Sequence, residues 1–180
     1  MAIFFTSDPH YGHANVIKYC NRPFKSAQEM DEEMIARHNS KVQPTDTVYF
    51  IGDIAFHQPD KTLAILNRLN GKKFLVYGNH DKGIKKTPAL QAKFEKCVDY
   101  LELYVDDQFI VLSHYAMLVW NKSHHGSWML HGHSHGNLKY PYEGKILDVG
   151  VDAHSFYPLS YAEVKTIMGK KNTQPVDHHA

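Results

Sequence analysis

The chain has 180 residues, of which 43% are hydrophobic and 22% charged, with a formal charge of +1 at neutral pH. That length suits one compact domain with a sizeable core, and the composition excludes an intrinsically disordered chain. Near-neutral charge without a Lys/Arg block argues against a large electrostatic footprint for duplex nucleic acid or an anionic membrane.

In chain order, segments rich in β-branched and aromatic residues predict strands over residues 2–7, 47–51, 73–77, 100–105, 109–113 and 145–151, with a further short strand over 127–130. The fourth and fifth read as a hairpin turning at 106–108. Helix signals lie between them. Ser26 followed by Glu29 is a capping-box pattern opening a helix to about residue 39, and Ser160 with Glu163 repeats it near the C-terminus. Pro59 suits the first turn of a helix carrying Leu63, Leu66 and Leu69 on one face. Alternation of strand and helix in the first half implies βαβ units, and the second half is richer in hairpins, so the class is mixed α/β. The expected organisation is one domain over 1–168 and a polar tail over 169–180.

Cys20 and Cys97 stand far apart and form neither a CxxC pair nor a disulfide framework, which suits a reducing compartment. The first residues meet Asp8 too early for a signal peptide, and no apolar run approaches the roughly 18 residues of a membrane span. A cytoplasmic location is expected. The unusual number is 14 histidines. His178 and His179 belong to the tail and are set aside, and His38 is read as an exposed helix residue.

Many of the others fall just past predicted strands. Asp8 and His10 follow the first strand, Asp53 the second, Asn79 and His80 the third, His114 the hairpin, and His133 and His135 the strand at 127–130. In open α/β sheets loops leaving neighbouring strand ends converge on one crevice, where ligands bind. Imidazole and carboxylate together suit Mn, Fe, Co, Ni or Zn, whereas Mg and Ca prefer oxygen alone. Gly52, Gly78 and Gly132 each precede a candidate ligand, as tight turns or close backbone approach require.

Asp8-Pro9-His10, Gly52-Asp53, Gly78-Asn79-His80-Asp81, the lone His114 and Gly132-His133-Ser134-His135 stand in that order. This set resembles the calcineurin-like metallophosphoesterases, in the small single-domain form of bacterial and phage members. The resemblance covers residues 1 to about 160. It implies a four-layer αββα sandwich of two mixed sheets flanked by helices, and two divalent metal ions, Mn, Fe, Zn, Ni or Co. Asp8, His10, Asp53 and His135 would hold one ion and Asp53, Asn79, His114 and His133 the other, with Asp53 bridging. His80 would be catalytic, oriented by Asp81.

The implied chemistry is hydrolysis of a phosphate ester. Two dications bring about +4 and the two aspartates return about −2, so the site attracts an anion, and paired metals can acidify a bridging water for in-line attack. With a bridging hydroxide the residual charge is about +1, which a singly charged diester neutralises and a doubly charged monoester overshoots; burying uncompensated charge is costly. A phosphodiester is therefore favoured, with a phosphomonoester, a nuclease substrate or a non-catalytic metal-binding interaction module as alternatives. A small or exposed ester suits the short, nearly neutral chain better than duplex nucleic acid.

Outside the five blocks, Arg22 and Asn15 are candidate substrate-binding residues: an arginine there can grip a phosphate oxygen bidentately, or it is simply a solvated loop residue. His13 is either a helix-start residue near the site or structural. His131 is read as structural, Trp120 and Trp128 as packing under their loop, and His57 and His154 as surface or supporting groups.

Overall fold

The computed structural model describes residues 1–141 and 144–172. His178, His179 and most of the expected tail lie outside the described residues. Among the described residues, nine strands form two sheets. The first has the order β4 (Lys96–Val98), β3 (Lys72–Val76), β2 (Thr47–Phe50), β1 (Ile3–Thr6), β9 (Leu159–Ser160). β1 to β4 run parallel and β9 pairs antiparallel with β1. The second runs β5 (Leu101–Val105), β6 (Gln108–Leu112), β7 (Trp128–His131), β8 (Ile146–Asp148), antiparallel between β5 and β6 and parallel from β6 to β8.

Successive residues of a strand face opposite sides, and β1 shows the consequence for layering. Phe4 joins Val48, Phe50 and Leu75 in a core closed by Met30, Met34 and Ile35 of α2 (Ala27–Lys41) and Ile65 and Leu66 of α3 (Pro59–Arg68). Its neighbour Phe5 faces the other way, into a cluster with Ile110, Leu112 and Leu130 of the second sheet and Val164 and Met168 of α6 (Tyr161–Gly169). The outer face of the second sheet, through Val111, Met129 and Ile146, is covered by Trp120, Met117 and Tyr140. That cover is loop with a 3-10 turn at Ser123–His125. The expected two-sheet α/β sandwich is present, with helices over the first sheet and irregular chain over the second.

The helix signals act locally as the sequence implies. Ser26 Oγ accepts from the Glu29 amide at 3.1 Å, while the Glu29 carboxylate accepts from Lys25 N at 2.7 Å. At α6 both halves of the capping box form between Ser160 and Glu163. Shorter helices α1 (Ala14–Tyr19), α4 (Lys82–Lys86) and α5 (Pro88–Gln91) complete the set.

His38 departs from its expected exposure. It lies four residues after Met34 and eight after Met30, on the buried face of α2, and is only 4% exposed. Its ring stacks on Phe50 and its Nε2–H donates to Asn70 O at 3.0 Å. Among the described residues no helix is long and apolar enough to cross a membrane.

Candidate metal centre

The candidate ligands leave the carboxyl ends of β1, β2, β3, β6 and β7, and the two sheets bring these ends together. Short backbone bonds weld the emerging loops: Asp8 N donates to Gly52 O at 3.0 Å, His10 N to Asp53 O at 3.1 Å, and Gly132 N to His114 O at 3.1 Å. Asp8, His10, Asp53, His133 and His135 all hold positive φ, at 57, 53, 56, 66 and 48°. Such left-handed backbone costs a non-glycine residue of order 1 kcal/mol or more, and clusters of it mark functional sites. Here it lets consecutive residues at a strand end turn their side chains into one crevice.

Gly132 shows how tightly that crevice is built. A Cβ there would lie 1.9 Å from Ser7 Oγ and 2.4 Å from Asp8 Oδ2. Gly52, at φ 92°, would place a Cβ 2.5 Å from His114 Nδ1. Both positions admit only glycine without displacing a candidate ligand or its support.

Three groups of potential ligand atoms result, each within 4.8 Å of one another: Cys20, His135 and Asp152, then Asp8, His10 and His135, and Asp53, His114 and His133. The last two carry the expected ligands. Asp53 Oδ2 lies between them, 3.6 Å from His10 Nε2 and 3.5 Å from His114 Nε2. Asn79 Oδ1 is 3.0 Å from His114 Nε2. Asp8 Oδ1 and both ring nitrogens of His10 are buried without a hydrogen-bond partner. An unpartnered buried carboxylate oxygen is costly, and a cation between it and the imidazole would satisfy both. The donors therefore fit the borderline divalent metals that imidazole and carboxylate select.

The electrostatics follow from crowding anions and imidazoles in a buried site. Burial lowers the proton affinity of His114, but its hydrogen bond to Asp53 and the charges of Asp8 and Asp53 outweigh this and raise its pKa to about 9. Burial works against the charge on Asp53, yet the hydrogen bond from His114 and its charge hold the carboxyl below the usual range. His10 is lowered, chiefly by burial. A divalent cation near His114 Nε2 and Asp53 Oδ2, 3.5 Å apart, would compete with the proton on His114.

The structure corrects two expected roles. Asp81 does not serve His80: its Oδ2 accepts from Asp53 N at 2.9 Å and Gly78 N at 2.7 Å, and its Oδ1 from Ile54 N at 2.9 Å. It is a buried carboxylate bracing the Asp53 loop, and burial pushes its pKa up to about 6. Arg22 is neither a phosphate clamp nor a solvated residue. It is 4% exposed, forks onto Asp152 with Nε to Oδ1 and Nη2 to Oδ2 both at 2.8 Å, and also donates to Pro9 O and Asp8 O. Asn15 lies exposed at the start of α1.

His80 sits where its backbone N donates to Asp53 Oδ1 at 2.8 Å, with an exposed ring 5.8 Å from His10 and 4.7 Å from Phe56. Phe56, 40% exposed, also stacks on His13 at 3.9 Å and so walls this end of the crevice. His57 Nε2 lies 2.6 Å from Asp31 Oδ2, and Asp31 Oδ1 accepts Gly12 N at 2.8 Å, tying down the loop after His10. His131 is buried between Gly132 O and the Tyr140 hydroxyl, Trp120 and Trp128 pack in the core, and His154 donates to Asp148 O. Sequence reasoning missed Asp152, whose Oδ2 lies 2.6 Å from His135 Nδ1. It stands 17 residues beyond His135 and 130 beyond Arg22, with no local pattern to reveal it.

A two-sheet α/β sandwich presenting Asp, Asn and His from successive strand ends to one crevice is the arrangement that the resemblance to metallophosphoesterases implies. No family model matches the chain. An uncharacterized protein of Methanocaldococcus jannaschii is 32% identical over 165 residues, covering 88% of this chain and 86% of its own length. Among solved structures, a protein of unknown function from Aquifex aeolicus has a TM-score of 0.72 at 24% identity, covering 92% of this chain and 98% of that one. A structure described as a novel archaeal phosphodiesterase has a TM-score of 0.50 at 19% identity, covering 83% and 82%. The chain belongs to the same family as the Methanocaldococcus jannaschii protein, and it shares its fold with the two solved structures.

Proposed function

We propose that this protein is a dinuclear metal-dependent phosphoesterase that hydrolyses phosphodiesters in preference to phosphomonoesters. The observation that carries the reading is the place of Asp53 Oδ2, within 3.6 Å of a nitrogen from each of the two ligand groups, beside the unpartnered Asp8 Oδ1 and His10 Nε2. Asp8, His10, Asp53 and His135 would hold one cation, and Asp53, Asn79, His114 and His133 the other. Divalent cations there would polarise phosphoryl oxygens and activate water for in-line displacement.

The chain's own residues supply the rest. Asp81, through three backbone amides, and the Asp8 and Gly52 backbone bond hold the bridging carboxylate in register before substrate arrives. His80, exposed beside His10, is placed to give a proton to the leaving oxygen or to stabilise its charge. Phe56 and His13 form an apolar wall on that side, limiting water around the leaving group.

The diester preference rests on charge. A monoester brings a second negative charge that calls for an added cation. Arg22, the residue weighed for that task, is fully committed to Asp152 and two carbonyls. A poor alkoxide leaving group also benefits most from a proton donor such as His80. The test is kcat/KM for bis-p-nitrophenyl phosphate and p-nitrophenyl phosphate with the same metal and pH, across Mn, Ni, Zn and Mg. The diester is expected to be the better substrate with Mn; a monoester preference under every metal would overturn the choice.

A further inference from the structure

We propose that the buried Arg22 and Asp152 pair is a positioning device: it presents His135 to the cation of the Asp8, His10 and His135 group and fixes the Asp8 loop beside it. The proposal rests on the metal-centre reading above and adds two residues that touch neither substrate nor cation.

Arg22 has a side chain with no solvent exposure, and its guanidinium serves two ligand loops at once. Nε and Nη2 fork onto the two carboxylate oxygens of Asp152, each at 2.8 Å. Nη2 also donates to Asp8 O at 2.8 Å and Nη1 to Pro9 O at 2.9 Å, so the backbone of the segment carrying Asp8 and His10 is held from behind. Asp152 Oδ2 meanwhile lies 2.6 Å from His135 Nδ1. An ionised carboxylate only accepts, so Nδ1 carries the proton and Nε2 keeps its lone pair for a metal. Through Asp152, which follows β8, one arginine thus joins the loop leaving β1 of the first sheet to His135 in the loop leaving β7 of the second.

The other group is built differently. His114 Nδ1 is oriented by a neutral backbone carbonyl, Ile51 O at 2.8 Å, with no charged hydrogen-bond partner at that nitrogen among the described residues. A carboxylate behind a ligating histidine fixes its tautomer and increases its basicity, and removing such a partner weakens metal binding about 10- to 100-fold. A buried ion pair adds little net stability compared with apolar groups of similar volume, so what this pair contributes is geometry.

The test titrates metal-stripped protein with Mn2+ alone by isothermal calorimetry. Wild type is expected to show two binding steps. Asp152→Asn should weaken one of them about 10- to 100-fold and leave the other unchanged. Because that variant strands the Arg22 charge, Arg22→Met combined with Asp152→Asn removes the whole pair and should show the same one-sided loss. Two wild-type steps in both variants overturn the proposal, as does an equal loss in both steps, which would mean a general structural role. Failure of both variants to fold, judged by circular dichroism, would make the pair a folding element and also overturn it. If wild type takes up a single equivalent, the two-cation reading fails on its own. The positioning role is then decided by whether that one step weakens in the variants.

Discussion

Asp53 offers its two oxygens in different directions. Oδ2 lies between His10 and His114, while Oδ1 accepts the backbone N of His80 at 2.8 Å. An amide keeps the shape but loses the charge and one acceptor, so Asp53→Asn is expected to abolish turnover and bring bound Mn well below two per chain by plasma mass spectrometry. Two retained equivalents with normal turnover would contradict the bridging role. His80 differs in kind, since Asn79 beside it is the candidate ligand. His80→Ala is expected to keep its metal content while losing about 10²- to 10⁴-fold in rate, the ordinary worth of a positioned acid. The loss should be smallest for esters whose leaving group is already a weak base. A metal analysis in which one equivalent disappears would show that His80 anchors metal; an equal loss across leaving groups would favour electrostatic stabilisation over proton donation.

At the scale of elements, α2 carries a testable pH dependence. Burial holds the His38 pKa down from about 6.5 to about 4, against its hydrogen bond to Asn70 O, and the Lys73 charge pushes in the same direction as burial. The unfolded chain therefore binds a proton on His38 that the folded chain refuses between these values. Its contribution to stability is fully present above about pH 6.5 and is lost as pH falls toward 4, by about 3 kcal/mol. Urea unfolding of wild type and His38→Gln from pH 7 to 4 checks this. The difference between the two curves should narrow as pH falls, and a constant difference would contradict a buried neutral His38.

Seven of the strands, of three to five residues, were legible because they are rich in β-branched and aromatic residues and end in turn chemistry. β4 and β9 lie at the edges of the first sheet, and Lys96-Cys97-Val98 and Leu159-Ser160 carry too few such residues to stand out. His38 was misread because a lone polar residue hides its membership of the face that Met30 and Met34 define. The candidate ligands were legible because each follows a strand and three of them, Asp53, Asn79 and His133, follow a glycine. Their supports were not. Asp152, Asp31 and the carbonyls that Arg22 holds are brought in by tertiary packing, across separations the sequence does not connect.

On the scale of the whole molecule, parallel strand ends from two sheets meet at one edge, and each sheet supplies part of each proposed ligand set. The site is therefore an interface between the layers, and its left-handed residues are held by bonds running from one loop to the next. Such a centre should work only when both positions are filled. The most direct measurement is hydrolysis of bis-p-nitrophenyl phosphate by chelator-stripped protein as Mn2+ is added at protein concentrations well above the dissociation constants. The account predicts no activity without metal and a rise that levels off at two equivalents per chain. Full activity in the chelator, or none at saturating Mn2+, would contradict it.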